Sequence, residues 1–298
     1  MKKLFTIFLF LVTLGIASAQ DSTETAKADT TYWLKSIEGT FALNQASFSG
    51  NWTGGGVNSV AFTTGIFARA NYAKERWSWD NTLDLFYGVV KNQDEDGRKS
   101  NDRILIDSKV GFKAGEKWNY FLATTFASQF APGYEFTDTD RTLISKFANP
   151  AYLTFSLGME YKPNEEFSLR LSPFSPRFTV VTDTDLYLNV PDNYGVPIGK
   201  TVRQEWLAMS LLADWNKQLS ENINLKARYG MFANYETLAW DTIDHRLDLV
   251  LAAKVSNLVS VTLTVASLYD LDQDEKIQFS QGLGIGLVYK RGNFPEKK

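Results

Sequence analysis

The sequence predicts an all-β protein, a transmembrane antiparallel up-and-down β-barrel of about twelve strands. Three observations predict it. Apolar and polar residues alternate over segments of about ten to thirteen residues, longer than the roughly five or six usual in soluble sheets. The spacers between these segments switch between short and mostly longer, as periplasmic turns and extracellular loops do in outer-membrane barrels. The N-terminus reads as an export signal, and nothing after it approaches the ~18 apolar residues of a transmembrane helix. A soluble sandwich or propeller also alternates, but with shorter strands.

Lys2 and Lys3 precede an apolar run over 4–16 and then Ala17-Ser18-Ala19, which predicts a signal peptide over 1–19 cleaved before Gln20. Residues 20–35 are expected as a short periplasmic leader, because 20–32 are polar, small and aperiodic. The barrel is expected over 36–290, opening with two weaker segments near 36–49 and 58–72. Along 77–89 the odd positions are Trp77, Trp79, Asn81, Leu83, Leu85, Tyr87 and Val89, while Ser78, Asp80, Thr82 and Asp84 alternate with them. Ile104, Ile106, Val110 and Phe112 alternate with Arg103, Asp107 and Lys109, and Trp118, Tyr120, Leu122 and Phe126 with Asn119, Ala123 and Thr125. Segments 153–161, 167–171, 207–215, 223–235, 243–255, 259–269 and 277–289 all carry their apolar residues on odd positions. Short spacers fall near 73–76, 114–117, 162–166, 216–221 and 256–258; the others lie at 50–57, 91–102, 131–149, 182–205, 236–241 and 270–276. An even strand number puts both termini on the periplasmic side. The final segment, with Gly282, Gly284 and Gly286 on its second face and Tyr289 at its end, resembles the signal strand by which the outer-membrane assembly machinery recognises its clients, and a tail over 291–298 follows.

Composition narrows the function. Aromatics reach 14%, as interfacial girdles require, and there is no cysteine for a disulfide, a thiolate metal site or a lipoprotein anchor. A net charge of -3 with mixed signs gives no field to recruit nucleic acid. The expected partners are outer-membrane lipid and lipopolysaccharide, the assembly machinery during insertion, and a small solute; no cofactor is expected.

The strongest local signature is the glycine-rich loop with Asn51, Trp52, Gly54, Gly55 and Gly56 between the first two strands. Adjacent glycines permit positive φ and close chain approach, which suits a tight hairpin; no Lys-Ser or Lys-Thr follows, so it is no phosphate loop. With the signal peptide, the barrel length and Pro173-Phe174-Ser175-Pro176-Arg177, this loop resembles an uncharacterised domain-of-unknown-function family of exported barrel proteins from Bacteroidetes-type bacteria. The resemblance implies a barrel over nearly the whole mature chain and brings no activity with it.

Chemistry is sparse. The single histidine, His245, is expected on the lipid face near the loops, with no serine forced beside it, so an outer-membrane lipid hydrolase ranks third and the chain is not expected to be an enzyme. Carboxylates at 94–96, 138–140, 183–185 and 270–275 are read as solvated loop charge rather than metal ligands. Strand parity sends Asp80, Asp84, Arg103, Asp107, Lys109, Lys226, Arg228, Arg246 and Asp248 into the lumen. A hairpin with Val90 opposite Arg103 would set Asp84 against Lys109 and Asp80 against Lys113, and a similar alignment sets Arg228 against Asp248. The leading expectation is a narrow channel or transporter for small solutes, and the alternative is a non-conducting structural or surface-interaction barrel whose lumen these pairs close.

Overall fold

A computed structural model describes residues 32–49, 51, 53, 56–137, 140–189 and 191–294. The expected signal peptide and most of the leader lie outside these residues. Alternation gives sixteen strands: β1 (Trp33–Ala46), β2 (Ser59–Lys74), β3 (Trp77–Asn92), β4 (Arg98–Lys113), β5 (Trp118–Ser128), β6 (Gly133–Phe136), β7 (Arg141–Ser145), β8 (Ala151–Tyr161), β9 (Phe167–Phe174), β10 (Arg177–Val180), β11 (Val202–Glu205), β12 (Ala208–Ser220), β13 (Ile223–Asn234), β14 (Asp244–Lys254), β15 (Val259–Asp270) and β16 (Asp274–Gly292). Every pairing is antiparallel. Twelve strands close a ring in the order β8-β5-β4-β3-β2-β1-β16-β15-β14-β13-β12-β9, with β9 returning to β8. The expected barrel is therefore the observed one. Its first strand begins at Trp33, ahead of position 36, and its last ends at Gly292.

Four short strands were not foreseen as separate elements. β10 and β11 continue β9 and β12 upward past a break at Ser175-Pro176 and Trp206-Leu207. Proline lacks the N–H a ladder needs: Pro173 sits where the β8–β9 register shifts and Pro176 in the break itself, and the Ser175 amide donates to the Ala208 carbonyl at 2.7 Å. β6 and β7 form a hairpin within the loop between β5 and β8.

The molecule is inside out relative to a soluble protein. Ile277, Phe279, Leu283, Ile285, Leu287 and Tyr289 of β16 are each more than half exposed on the outer wall, whereas Asp107, Lys109, Glu160 and Glu205 are buried in the interior. Aromatic groups gather at the two ends of the wall, where amphipathic rings match a membrane boundary. At the turn end Trp33 meets Trp79, Trp77 meets Phe112 and Trp118 meets Tyr161. At the loop end Phe155, Phe178 and Trp206 stack edge to face.

The turns on one side are short, at 75–76, 114–117, 162–166, 221–222 and 255–258. Two loops on the other side, 129–150 and 181–201, pack into a cap. Val181, Leu186, Tyr194 and Val196 form its buried cluster, with Leu143 and Ile144 against it. Tyr194 Oη donates to the Ile144 carbonyl at 2.6 Å, and Asn149 Oδ1 accepts from the Thr182 amide, also at 2.6 Å. One loop expected to be long is a tight turn instead, the chain reversing at 93–97, and the shorter spacer expected at 270–276 is a turn at 271–273. Asp94, with φ of 63°, supplies the left-handed residue that the first of these needs.

Candidate functional site

The lumen gathers the charged side chains. Inward parity on β3, β4, β8, β9, β12, β13 and β14 delivers a connected set of ion pairs. Lys109 pairs with Glu160 and lies 3.2 Å from Asp80. Arg170 pairs with Asp107 at 3.1 Å, and Arg228 with Asp214 at 2.6 Å. Arg103 holds Asp84 at 2.5 Å and reaches Asp248 at 3.4 Å, while Arg246 holds the same Asp248 at 2.8 Å. The Arg103–Asp248 contact crosses the ring. Five strands separate β4 from β14 in either direction, β3, β2, β1, β16 and β15 on one side and β5, β8, β9, β12 and β13 on the other. Nearer the loops a second layer repeats the theme, with Arg177 between Glu205 at 2.8 Å and Asp244 at 2.6 Å, and Arg203 bound to Asp272. A cavity of about 130 Å³ lies among Arg177, Arg203, Glu205, Asn234 and Asp244.

The opposite wall is different in kind. Thr40, Ala42 and Asn44 of β1, Gly65 of β2, Thr264 and Ala266 of β15, and Ser280, Gly282 and Gly284 of β16 carry the inward parity through the middle of that wall without a charge, while Glu38 of β1, Arg69 of β2 and Lys276 of β16 hold the same parity toward its ends. Asn44, Gln278, Ser280 and Gly282 are exposed although they face inward. A side chain begun at Gly282 would meet only the Thr264 hydroxyl of the neighbouring strand, at 3.2 Å. At the turn end this wall narrows. Lys226 reaches from β13 to within 4.0 Å of Glu38 on β1 and lies over the Phe67 ring. Below it, Arg69 stacks on Phe294, and Asn293 is tied to β1 through the Lys35 amide at 2.6 Å and the Trp33 carbonyl at 3.0 Å.

The nine lumen charges named above each make an ion pair, but one predicted register is wrong. Asp80 faces Lys109, and Asp84 faces Leu105 rather than Lys109. The strands run on to Asn92 and Arg98, and a bulge at Gly88/Val89 removes one residue from the count, so the ladder is set by a tight turn and not by the longer loop assumed. Lys113 consequently faces Asn119 of β5 and uses its carbonyl to accept from Arg76. The alignment of Arg228 with Asp248 is as expected, although the guanidinium turns to Asp214 on its other neighbour. Sequence reasoning missed Glu38, Arg69 and Glu160, whose even or odd places on β1, β2 and β8 could have found them. It also missed Arg177, Arg203 and Glu205, which sit beyond the breaks that hide the strands carrying them.

In the glycine-rich loop, Trp52, Gly54 and Gly55 lie outside the described residues. Asn51 accepts from the Ser49 hydroxyl, and Gly56, at φ 137°, is pressed so closely on the Phe48 ring that a Cβ would lie 2.5 Å from it. His245 faces outward as expected, its Nδ1 2.7 Å from Tyr229 Oη. Asp183 and Asp185 grip Lys146 in the cap, and that ammonium holds the Asp183 carboxyl below its ordinary range. Among the described residues no three metal-ligating side chains come together.

Residues 43–134 match the model of a family described as a protein of unknown function (DUF3078). No curated protein matches. Among solved structures, the COG4313 outer membrane channel from Pseudomonas putida F1 is 8% identical, with 92% of this chain and 100% of that one covered and a TM-score of 0.40. The NanC porin is 7% identical over 85% and 98% of the two chains, with a TM-score of 0.41. Outer membrane phospholipase A from Escherichia coli is 14% identical over 89% and 94%, with a TM-score of 0.37. These are likenesses of barrel architecture.

Proposed function

We propose that the protein resides in the outer membrane and passes small solutes through an eccentric path along the β1, β2, β15 and β16 side of its lumen. One observation carries this reading: Asn44, Gln278, Ser280 and Gly282 point inward yet are exposed, so the interior beside them is space rather than packed side chain. Ion pairs fill the other side and act as a buttress. In planar bilayers the purified protein should give small, uniform single-channel steps. Silence over many insertions, with a heat-modifiable gel band attesting the folded barrel, would overturn the reading.

The Arg103–Asp248 contact favours a second reading, a barrel closed at rest. In that case wild-type protein is silent and Arg103→Ala conducts, because this link across the ring is gone.

A further inference from the structure

Deepening the channel reading, on which it rests, we infer that the path selects small anions. Two observations on different elements lead there. The first is which member of each pair meets the open space. Arg246 and Lys226 are 49% and 45% exposed, whereas their carboxylates Asp248 and Glu38 are 18% and 24% exposed. On the filled side no paired cation exceeds 30% exposure, with Lys109 at 6%, Arg170 at 12%, Arg103 at 28% and Arg228 at 30%. A passing ion therefore meets ammonium and guanidinium groups with their counter-charges set back.

The second observation is register. Arg246 faces Leu268, which faces the exposed Gln278; Lys226 faces Val250, then Thr264, then the exposed Gly282. Both cations thus share ladder rows with the open wall of β16. Arg69, capped by Phe294, adds a third positive group toward the turn end, with Glu38 as the carboxylate nearest the path there. Along the path cations outnumber exposed carboxylates.

Acidic residues at the loop rim oppose this, and distance decides against them. Asp274 and Glu275 begin β16, four residues from the Gln278 row and eight from the Gly282 row by Asp274, or roughly 13 Å and 26 Å along the strand. Both exceed the Debye length of about 8–10 Å at physiological salt. The cations act at contact distance on any ion small enough to pass.

The test is the reversal potential across a planar bilayer under a potassium chloride gradient. The wild-type protein should prefer chloride, by roughly five-fold for each cation facing the path, the effect of one unit charge across about 4 Å of water. Lys226→Gln and Arg246→Gln should each bring the ratio toward unity, and Lys226→Glu should invert or abolish it. Lys226→Arg keeps the charge and should keep the preference, which guards against a folding defect. Conductance without chloride preference, or a preference unmoved by Lys226→Glu, overturns the anion assignment and leaves the channel standing. Absence of conductance in every variant overturns both.

Discussion

The two sides of this lumen use the same strand geometry to opposite ends. On β3, β4, β8, β9, β12, β13 and β14 the inward positions hold long charged side chains that span the interior and meet partners from distant strands. On β1, β2, β15 and β16 the same parity holds glycine, alanine, threonine and asparagine through the middle of the wall, with Glu38 and Arg69 toward its turn end. The cap follows the same division, since its buried cluster comes from the loops that join β5 to β8 and β10 to β11. Alternation alone makes a cylinder; side-chain length at the inward positions decides which part of it is filled.

The largest expected effect separates the two sides directly. Glu160→Ala would strand the Lys109 ammonium, which is 5% exposed, and removing one partner of a buried pair costs on the order of 3–5 kcal/mol. Asp80, 3.2 Å from the same ammonium, should hold the loss to the lower part of that range. Glu38→Ala leaves Lys226 half in water and should cost less than about 1 kcal/mol. Urea unfolding in lipid vesicles measures both. Equal losses would mean that the interior is uniformly solvated or uniformly dry, and the contrast between the sides would fail.

How much of this was legible in the sequence depends on length scale. Period-two alternation fixed which residues face inward, and Asp80, Arg103, Asp107, Lys226 and Arg246 all lie where parity put them. Parity carries no information about which inward residue meets which. That depends on turn length and bulges, and the tight turn at 93–97 shifts this ladder by four residues, setting Asp84 opposite Leu105, from where it pairs with Arg103. Contacts across the lumen are harder still, because Arg103 and Asp248 lie on opposite strands of a ring whose closure no local pattern encodes. The small-residue wall was visible as glycines on the last strand, but its meaning depends on how far side chains from the other strands reach, as Lys226 does to Glu38.

A smaller effect tests the wall itself. Leu249 faces Ala227 and Val265 in the outward register, and Val250 faces Lys226 and Thr264 in the inward one. Arginine at a lipid-facing midplane site costs about 2–4 kcal/mol. Leu249→Arg should lose that much in refolding experiments, and Val250→Arg, beside the solvated path, should lose clearly less. Equal losses would place both residues in dry surroundings and remove the space beside β15.

The smallest effect concerns the cap over the filled side, and it should appear as a pH window. Burial pushes the Tyr194 phenol up to about 12, from an ordinary value near 10. The folded cap thus prefers the neutral phenol. Its contribution is complete below pH 10, declines between about 10 and 12, and amounts to roughly 1–3 kcal/mol. Lys146 acts in the same direction: hydrogen bonds to Asp183 and Asp185 raise its pKa, so its contribution is present below its ordinary value and lost as pH rises through the folded one. Asp183 closes the window at the acid end. Lys146 lowers its pKa, so its contribution is present above the ordinary carboxylate range and lost as pH falls through the folded value. Protease cleavage within 129–150 and 181–201, followed against pH, should therefore be slow at neutral pH and accelerate above about pH 10, while the strands beneath stay resistant. Tyr194→Phe removes the titrating hydroxyl and the bond to the Ile144 carbonyl together, so it should raise cleavage at neutral pH and flatten the alkaline rise. An alkaline rise of the same size in Tyr194→Phe would assign the opening to Lys146. A rise spread equally over the loops of the β1, β2, β15 and β16 side would show that the cap is not a separate packed unit standing over one half of the lumen.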